Sequence, residues 1–325
     1  MKLVHTQNLP SGNIYVLYDE QKDAYIECTS MQDVTVEGKS HTEVRESLDP
    51  NVIQKHLKPI EEKWLMTVST QYGCAYKCMF CQVPSIPFKG NLSEEAIMKQ
   101  VIFLLSQKPG IKTLKAKIGF ARMGEPTLNY KNVLNVIEKL KYLKDGIRFL
   151  PCFNSILPKI NVEGKYIYEI MDEVLRVKEE VHNGFLHFQI SCNSTNEEER
   201  KYLFGGANVL TLEEINNYFK DKKITNRTIT LNFIMGDGWE LNYDKLKIFD
   251  PSKFTIKLIP LNQTDRGKQN GLKTYANYSN LEKLERKGYE LKQLGFNVVT
   301  DAVAKCEEAG LCCGQLIHIY LNNLK

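Results

Sequence analysis

The sequence lacks the features that mark membrane-embedded and secreted proteins. It contains no run of the ~18 apolar residues that a membrane-spanning helix needs, and its longest local apolar run is residues 101–105, VIFLL. The first residues, MKLVHTQNLP, are too polar for a secretory signal. We therefore expect no membrane association and a cytoplasmic location, where cysteine thiols stay reduced.

A strong charge imbalance is also missing. The formal net charge is +4, charged residues make up 25% of the chain and hydrophobic residues 42%, which are ordinary proportions for a globular protein. This balance is too mild for a dedicated nucleic-acid binder with a clustered basic surface, but it permits a partner that carries phosphate. The sequence shows no internal repeat and no low-complexity tract.

The most informative feature is a group of three cysteines, Cys74, Cys78 and Cys81, with the spacing C-x3-C-x2-C. A four-iron cluster normally takes four thiolates, so three thiolates leave one iron with an open position. The amine and carboxylate of S-adenosylmethionine (SAM) can chelate that iron. Reductive cleavage then gives a 5′-deoxyadenosyl radical, which is the cofactor's own chemistry. We predict a [4Fe–4S] cluster and SAM as cofactors, with an electron donor such as flavodoxin or ferredoxin as partner.

A zinc site and a set of disulfides are the alternative roles for the three cysteines, and both remain open at this point. A structural zinc site needs four ligands, and no second pair with zinc-finger spacing is present. Disulfide pairing is disfavoured because the gaps of three and two residues are too short for easy bridge geometry. A regulator that binds zinc or a cluster without catalysis is therefore the non-enzyme alternative.

The chain divides into a small β-rich N-terminal region, residues 1–60, and a main domain, residues 61–325. Short strands are predicted at 13–18, 24–28 and 34–37. From residue 64 onward, predicted strands alternate with helices, which favours an α/β fold with a parallel sheet and helices outside it. The predicted strands of the main domain are 64–69, 114–121, 147–154, 185–192, 228–235, 254–261 and 296–300.

Helix starts are marked by residues that cap helices. Ser93 precedes Glu94 and Glu95, whose charges suit the first turn of a helix. Three further pairs fit a capping box, and they are Thr195 with Glu198, Thr211 with Glu214, and Ser279 with Glu282. Helical apolar spacing extends over residues 129–144 and 278–294.

Polar residues collect where the predicted strands end, which is where ligands bind in parallel α/β folds. Gly124 allows close approach of the backbone to a ligand, and Glu125 can accept hydrogen bonds from the ammonium group of SAM. Small polar groups that can bind ribose, adenine or the carboxylate of SAM follow at Asn154, Ser191, Asn193 and Asn262. Each of these alone is more often a turn former or a helix cap.

A second cysteine motif lies near the C-terminus. Cys312 and Cys313 precede Gly314, and a cysteine in such a segment is a nucleophile when its thiolate is stabilised. A redox-inert pair is the alternative, and it is the resemblance described below that implies catalytic roles for Cys313 and Cys312.

With these motifs the chain resembles the radical-SAM ribosomal-RNA adenine methyltransferases, the RlmN and Cfr group. The likeness covers roughly residues 64–317, and the order and spacing of the motifs match as well. The Cys-Gly-Gln-Leu ending is far more specific than the cluster motif, which marks only the superfamily. The segments that carry the likeness are 68–74 (VSTQYGC), 78–81 (CMFC), 88–92 (FKGNL), 123–129 (MGEPTLN), 258–262 (LIPLN) and 313–316 (CGQL).

The resemblance implies a partial (β/α)6 barrel, similar to a TIM barrel but incomplete. It implies that Cys74, Cys78 and Cys81 hold the cluster and that Gly124 and Glu125 bind SAM. The other SAM contacts of the family fall at Asn154, Ser191 to Asn193, and Asn262, where Asn154 and Asn193 differ in residue type from the family.

In that family, the cysteine that Cys313 matches takes a methyl group from one SAM. A second SAM supplies the radical that activates this methyl group, which then adds to an sp2 carbon of adenine. A second cysteine releases the product.

The chain departs from the family in three places. The releasing cysteine lies seven residues before the cluster motif, where this chain has Thr67. Either Cys312 substitutes, or another thiol does, or the release differs. The N-terminal helical RNA-binding domain of the family is not evident, and the basic stretch before the last cysteine is replaced by the acidic residues 302–310.

Two enzymatic functions follow from these patterns. The first is methylation of an sp2 carbon of an adenine-like base, in RNA or a nucleotide, through a methyl group on Cys313. The alternative keeps the cluster and SAM but abstracts hydrogen from a small molecule or a peptide without methylating it.

Overall fold

A computed structural model describes residues 1–34, 40, 43, 45–46, 49–277, 279–301 and 312–323. The chain forms two compact units, one built from Met1–Ala75, Cys81–Cys152 and Ala304–Lys325 and the other from Tyr76–Phe80 and Phe153–Val303. We call them the first and the second unit. The predicted boundary at residue 60 is not a point where the chain passes between the units, and that division stays a prediction.

The first unit contains antiparallel strands that continue into parallel ones. Strands β1 to β4 pair in succession as antiparallel neighbours, and β4 pairs with β7 in parallel. The short strands β5 and β6 form a ladder of their own. The bounds are β1 Lys2–Leu9, β2 Gly12–Asp19, β3 Ala24–Gln32, β4 Trp64–Val68, β5 Gln71–Tyr72, β6 Gly90–Asn91 and β7 Thr113–Phe120.

Strand β8, Ile147–Ser155, contributes residues to both units. Among its described residues, the first unit also has three longer α-helices, α1 Glu94–Ser106, α2 Tyr130–Leu140 and α9 Gln315–Asn322, the last numbered by its place in the whole chain. Its core is formed by strand residues such as Trp64, Met66 and Val68, which are almost completely buried.

The second unit has four consecutive parallel strands. Strand β11 pairs with β12, β12 with β13, and β13 with β14, all in parallel. Strands β9 and β10 form a small hairpin. The bounds are β9 Asn161–Val162, β10 Lys165–Tyr166, β11 His187–Ser191, β12 Ile229–Met235, β13 Phe254–Pro260 and β14 Asn297–Thr300.

The helices of the second unit lie in the chain between these strands, as the alternating pattern predicts. Their bounds are α3 Ile167–Arg176, α4 Glu197–Leu203, α5 Leu212–Phe219, α6 Tyr243–Leu246, α7 Asp265–Gln269 and α8 Glu282–Gln293. The predicted α/β class, with mostly parallel strands and antiparallel strands at the N-terminal side, is confirmed. Within the described residues, no helix is long and apolar enough to span a bilayer.

Two of the predicted helix starts are correct and two are wrong. Ser93 caps α1 through the backbone N–H of Ala96, and the Thr211 box caps α5. The start at Thr195 is wrong, because Asn196 caps α4. The start at Ser279 is also wrong, because α8 begins three residues later without a side-chain cap.

These caps give a prediction about stability. Asn196→Ala removes the side chain that accepts from two orphan N–H groups of α4, so the free energy of unfolding should fall by about 1 kcal/mol. Ser279→Ala should leave it unchanged, because the Ser279 side chain does not cap α8. Urea titrations of both variants and the parent check this, and equal losses for the two would contradict it.

Candidate functional site

The middle of the cysteine loop, residues 76–80, is held within the second unit by hydrogen bonds to its backbone. The Met79 N–H donates to Leu203 O at 2.9 Å. Asn270 Nδ2 donates to Met79 O at 2.7 Å, and Thr264 Oγ1 donates to Phe80 O at 2.9 Å. These bonds fix the path of the loop without using its cysteines.

The same loop segment packs against a glycine and two aromatic rings. Gly205 has φ +66°, and a Cβ there would lie 2.3 Å from Lys77 O, so both its conformation and its contact require glycine. The Phe80 ring lies 6.5 Å from Phe204 and 6.3 Å from Trp239, measured between ring centroids. The loop is therefore anchored by backbone approach and by aromatic packing.

Cys74, Cys78 and Cys81 are all partly exposed. In the described part of the chain, no group of three His, Cys, Asp or Glu side chains is arranged to hold a metal ion. Three partly exposed thiols in one loop have the donor chemistry of an iron–sulfur site. The role of Cys74, Cys78 and Cys81 as cluster ligands stays a prediction.

Gly124 and Glu125 form a rigid turn in the first unit. Gly124 has φ +102°, and a Cβ would lie 2.6 Å from Gln71 Cγ, so the turn tolerates only glycine. The Glu125 N–H donates to Gln71 Oε1 at 3.0 Å. Glu125 Oε1 in turn accepts from the Thr127 N–H at 3.1 Å and from Thr127 Oγ1 at 2.7 Å. Glu125 is thus a buried, fixed carboxylate rather than a solvated one.

The other predicted SAM contacts lie in the second unit. Asn154 lies in β8, Ser191 is the last residue of β11, and Asn262 follows β13 by two residues. All three are partly exposed. Asn193 is buried, with φ +64°, and its Oδ1 accepts from the Ile234 N–H at 3.2 Å.

Two buried amides of the second unit have unused hydrogen-bonding atoms. Among the described residues, Asn193 Nδ2 and Asn232 Oδ1 lack any partner, and buried polar atoms rarely do without one. Asn232 pairs in register with Ser191 on the neighbouring strand. These orphan atoms fit a bound polar ligand. Asn232 was not predicted from the sequence, although a lone amide in the apolar strand ITLNFIM was a signal for it.

Cys313 lies in the first unit beside the Gly124 turn and close to the end of the cysteine loop. Cys313 Sγ donates to Ala121 O at 3.5 Å. The next residue, Gly314, has φ +78°, and a Cβ on it would lie 2.9 Å from Val83 Cα. Because Val83 follows Cys81 by two residues, the C-terminal thiol is placed near the cluster motif.

A buried ion pair holds this C-terminal segment. Arg122 Nε donates to Glu27 Oε2 at 2.7 Å, and both side chains are almost inaccessible. Glu27 also accepts from the N–H groups of Gly314 at 3.0 Å and Ile317 at 2.9 Å. Arg122 Nη2 donates to Cys312 O at 3.3 Å. Neither the pair nor its role in the segment was predicted from the sequence.

The thiols of the chain differ in their surroundings. Burial raises the pKa of Cys313, the Arg122 guanidinium opposes this rise, and the Glu27 carboxylate adds to it. Burial also raises the pKa of Cys28 and raises that of Cys192 to about 12. Cys28 and Cys192 are fully buried and are therefore inert core residues.

Thr67 lies on β4 at the position where the resembling family has its second cysteine. Its Oγ1 is 2.7 Å from Thr29 Oγ1 on the neighbouring strand. The hydroxyl is thus part of a polar pair within the sheet. Cys306, another thiol near the C-terminus, lies outside the described residues.

Comparison with known proteins identifies the family. The model of the radical SAM superfamily matches residues 68–244, more than half of the chain. The chain belongs to the radical SAM superfamily. The protein is therefore an enzyme that uses a [4Fe–4S] cluster and SAM, as predicted.

Curated relatives are distantly similar to this radical SAM enzyme. It is 27% identical over 280 residues to a protein named "Probable dual-specificity RNA methyltransferase RlmN" of Pseudothermotoga lettingae, covering 82% of this chain and 73% of that protein. It is also 27% identical over 298 residues to "Dual-specificity RNA methyltransferase RlmN" of Buchnera aphidicola subsp. Schizaphis graminum, covering 86% and 74%. The predicted resemblance to this group is confirmed at this distance.

A solved structure supports the fold of the enzyme. The crystal structure of a radical SAM methyltransferase from Sphaerobacter thermophilus matches with a TM-score of 0.66 and 16% identity, covering 97% of this chain and 80% of that one. At this identity the likeness concerns the fold alone, and it confirms the predicted radical SAM fold class.

The buried ion pair gives a prediction about the radical SAM enzyme's stability. Glu27→Ala leaves the Arg122 charge buried without its partner, so the free energy of unfolding should fall by roughly 3–5 kcal/mol. The double variant Glu27→Ala/Arg122→Met removes both charges and should lose less than Glu27→Ala alone. Urea unfolding of the parent and both variants measures this, and a double variant less stable than Glu27→Ala would contradict it.

Proposed function

We propose that this radical SAM enzyme is a methyltransferase that carries the methyl group on Cys313 and delivers it to an sp2 carbon of an adenine-like base. The observation that carries the proposal is the position of Cys313 in the first unit. Its sulfur contacts Ala121, three residues before Gly124, and its neighbour Gly314 packs on Val83. A carrier thiol needs such a place near the cofactor motifs.

The cofactor ligands are proposed from the motifs. Cys74, Cys78 and Cys81 would hold the cluster. When bound, the cluster supplies the electron that cleaves SAM. The residues proposed to bind SAM are Gly124, Glu125, Asn154, Ser191, Asn193 and Asn262.

Cys313 would act as a nucleophile in the first methyl transfer. Its thiol loses a proton, the thiolate sulfur forms a bond to the methyl carbon of SAM, and the sulfonium sulfur leaves with the electron pair as S-adenosylhomocysteine. The Ala121 carbonyl accepts the thiol hydrogen bond and orients the sulfur in the resting protein. Cys312 is proposed as the thiol that acts after Cys313.

RNA or a nucleotide is proposed as the acceptor. Both relatives described above carry RNA methyltransferase in their names, and the net charge of +4 suits a phosphate-bearing substrate. An electron donor such as flavodoxin or ferredoxin is the proposed partner, because SAM cleavage consumes an electron.

A non-methylating radical reaction on a small molecule or peptide is the second candidate. The observation that favours it is Thr67, whose hydroxyl bonds to Thr29 and which supplies no thiol for product release. SAM with a deuterated methyl group separates the two functions, because only methyl transfer places the label in a product.

The Cys313→Ala variant tests the methyl-carrier role. It should still form 5′-deoxyadenosine from SAM on anaerobic reduction, because cleavage does not need this thiol, but it should place no deuterated methyl group in RNA or nucleotides. Mass spectrometry of a fractionated pool measures both products. Cys28→Ala, which alters a buried thiol outside the proposed chemistry, is the control and should retain methylation. Methylation by Cys313→Ala would contradict the proposal.

Substitution of one of the two buried amides, Asn232, tests the proposed SAM site. Asn232→Leu removes an unpartnered buried acceptor, so the free energy of unfolding should stay the same or rise. SAM binding should weaken by about tenfold if Asn232 bonds the ligand. Equilibrium dialysis with labelled SAM and urea unfolding measure the two effects. Asn217→Leu, on the exposed face of α5, is the matched control. Unchanged SAM affinity in Asn232→Leu would remove Asn232 from the site.

A further inference from the structure

The surroundings of Cys313 contain a fixed positive charge that the methyl-carrier mechanism, as proposed above, does not use. We propose that Arg122 is a positioning residue that holds the Cys312–Cys313 segment in place and favours the thiolate of Cys313. The Glu27 carboxylate opposes the effect of the Arg122 charge on that thiolate. This inference rests on the proposed role of Cys313.

The geometry gives Arg122 two contacts that matter for the segment. Its Nε binds Glu27 Oε2 at 2.7 Å, which fixes the direction of the guanidinium. Its Nη2 binds Cys312 O at 3.3 Å, which ties it to the residue before the carrier. The backbone of Arg122 is fixed too, since its N–H donates to Val68 O at 3.1 Å. Both ends of the side chain are therefore anchored.

Glu27 secures the other side of Cys313. Its two carboxylate oxygens accept from the N–H groups of Gly314, the N-cap of α9, and of Ile317 in the first turn, so Glu27 caps a helix from a distant strand. The residues on both sides of Cys313 are thus bound to one ion pair. Contacts made by the neighbouring backbone therefore fix the position of the Cys313 thiol.

The charged groups around the sulfur act in opposite directions on the pKa of Cys313. Burial disfavours the thiolate, Arg122 favours it through its charge and a side-chain hydrogen bond, and Glu27 disfavours it. The Cys312 and Cys313 thiols are both partly exposed, and Cys28, beside Glu27 in the chain, is buried. Arg122 is the positive charge that favours the Cys313 thiolate.

This balance matters because a thiolate, not a thiol, attacks the methyl carbon. In the transfer, the Cys313 proton leaves to solvent, the sulfur–methyl bond forms on Cys313 and the methyl–sulfonium bond of SAM breaks. Desolvation holds the pKa of Cys313 above its ordinary value, and the Arg122 charge limits that rise. Arg122 supplies that cation without being a nucleophile or a base.

The test measures thiol ionisation rather than methylation. The cluster-loaded enzyme, without SAM, is treated with iodoacetamide between pH 7 and 11, a range that extends well above the ordinary thiol pKa of ~8.5 because the pKa of Cys313 is raised. Fragment ions of the C-terminal peptide separate alkylation of Cys313 from that of Cys312. Altered access changes the plateau rate, whereas altered ionisation moves the midpoint of the pH profile, so the midpoint is the deciding quantity.

Three variants should affect the midpoint of the Cys313 pH profile in different ways. In Arg122→Met, the Cys313 midpoint should move to higher pH, and alkylation at pH 8 should slow by about tenfold or more. In Glu27→Gln, which keeps an acceptor for α9, the midpoint should move to lower pH. In Arg122→Lys, which keeps the charge, it should stay close to the parent. A midpoint that is unchanged in both Arg122→Met and Glu27→Gln overturns the proposal.

Folding and function are separated by two further measurements. If Arg122→Met does not fold, as judged by near-UV circular dichroism, the double variant Glu27→Gln/Arg122→Met replaces it, and its midpoint should still exceed that of the parent. A double variant with the parent midpoint overturns the proposal. If Cys313→Ala retains methylation while the midpoints shift as expected, the methyl-carrier role fails and the role of Arg122 in thiol ionisation stands.

Discussion

The Glu27–Arg122 ion pair is the interaction on which the arrangement of the first unit depends. Two buried charges lose several kcal/mol each of hydration, and a pair offsets this loss only when its remaining hydrogen-bonding atoms are also used. Here both Glu27 oxygens accept backbone N–H groups of the C-terminal segment, and Arg122 donates to Cys312 O. The segment that carries Cys313 therefore supplies further hydrogen-bond partners for both members of the ion pair.

The strand that leads to Arg122 also leads to the predicted SAM turn, so one rigid backbone positions both. Thr70 and Gln71 donate their N–H groups to Met123 O at 2.8 and 3.2 Å. The Gln71 side chain then receives the Glu125 N–H. One residue, Met123, separates Arg122 from Gly124, so a change at Arg122 would reach the Gly124 turn through the backbone.

Strands β12 and β13 were predictable because they are buried along most of their length and are rich in β-branched and aromatic residues. The strand predicted at 254–261 is observed as Phe254–Pro260. Strand β1 was not predicted, because Lys2–Leu9 is mostly polar and becomes a strand only by pairing with β2. Its formation is decided by tertiary pairing, which a local pattern does not contain.

The helix caps also show that local sequence is not enough to predict the structure. Thr195 and Asn196 are both good caps, and no local feature favours one over the other. The structure uses Asn196 because Thr195 Oγ1 donates to Glu240, 45 residues away.

Thr67 decides how far the chemistry of the resembling family can extend to this chain. The Thr67 hydroxyl, bonded to Thr29, cannot form a disulfide with Cys313, because a disulfide needs a second sulfur. A thiol that releases the product would therefore come from elsewhere, and among the described residues Cys312 is the one next to Cys313, the proposed carrier. Its carbonyl is bound by Arg122 while its side chain is partly exposed. The ion pair, whose members are 95 residues apart, thus fixes the backbone of both cysteines and leaves the Cys312 side chain accessible to solvent. In that arrangement, a disulfide between Cys312 and Cys313 would require the backbone to move, because adjacent Cα atoms lie about 3.8 Å apart across a trans peptide, closer than the roughly 4.4–6.8 Å that disulfides usually span.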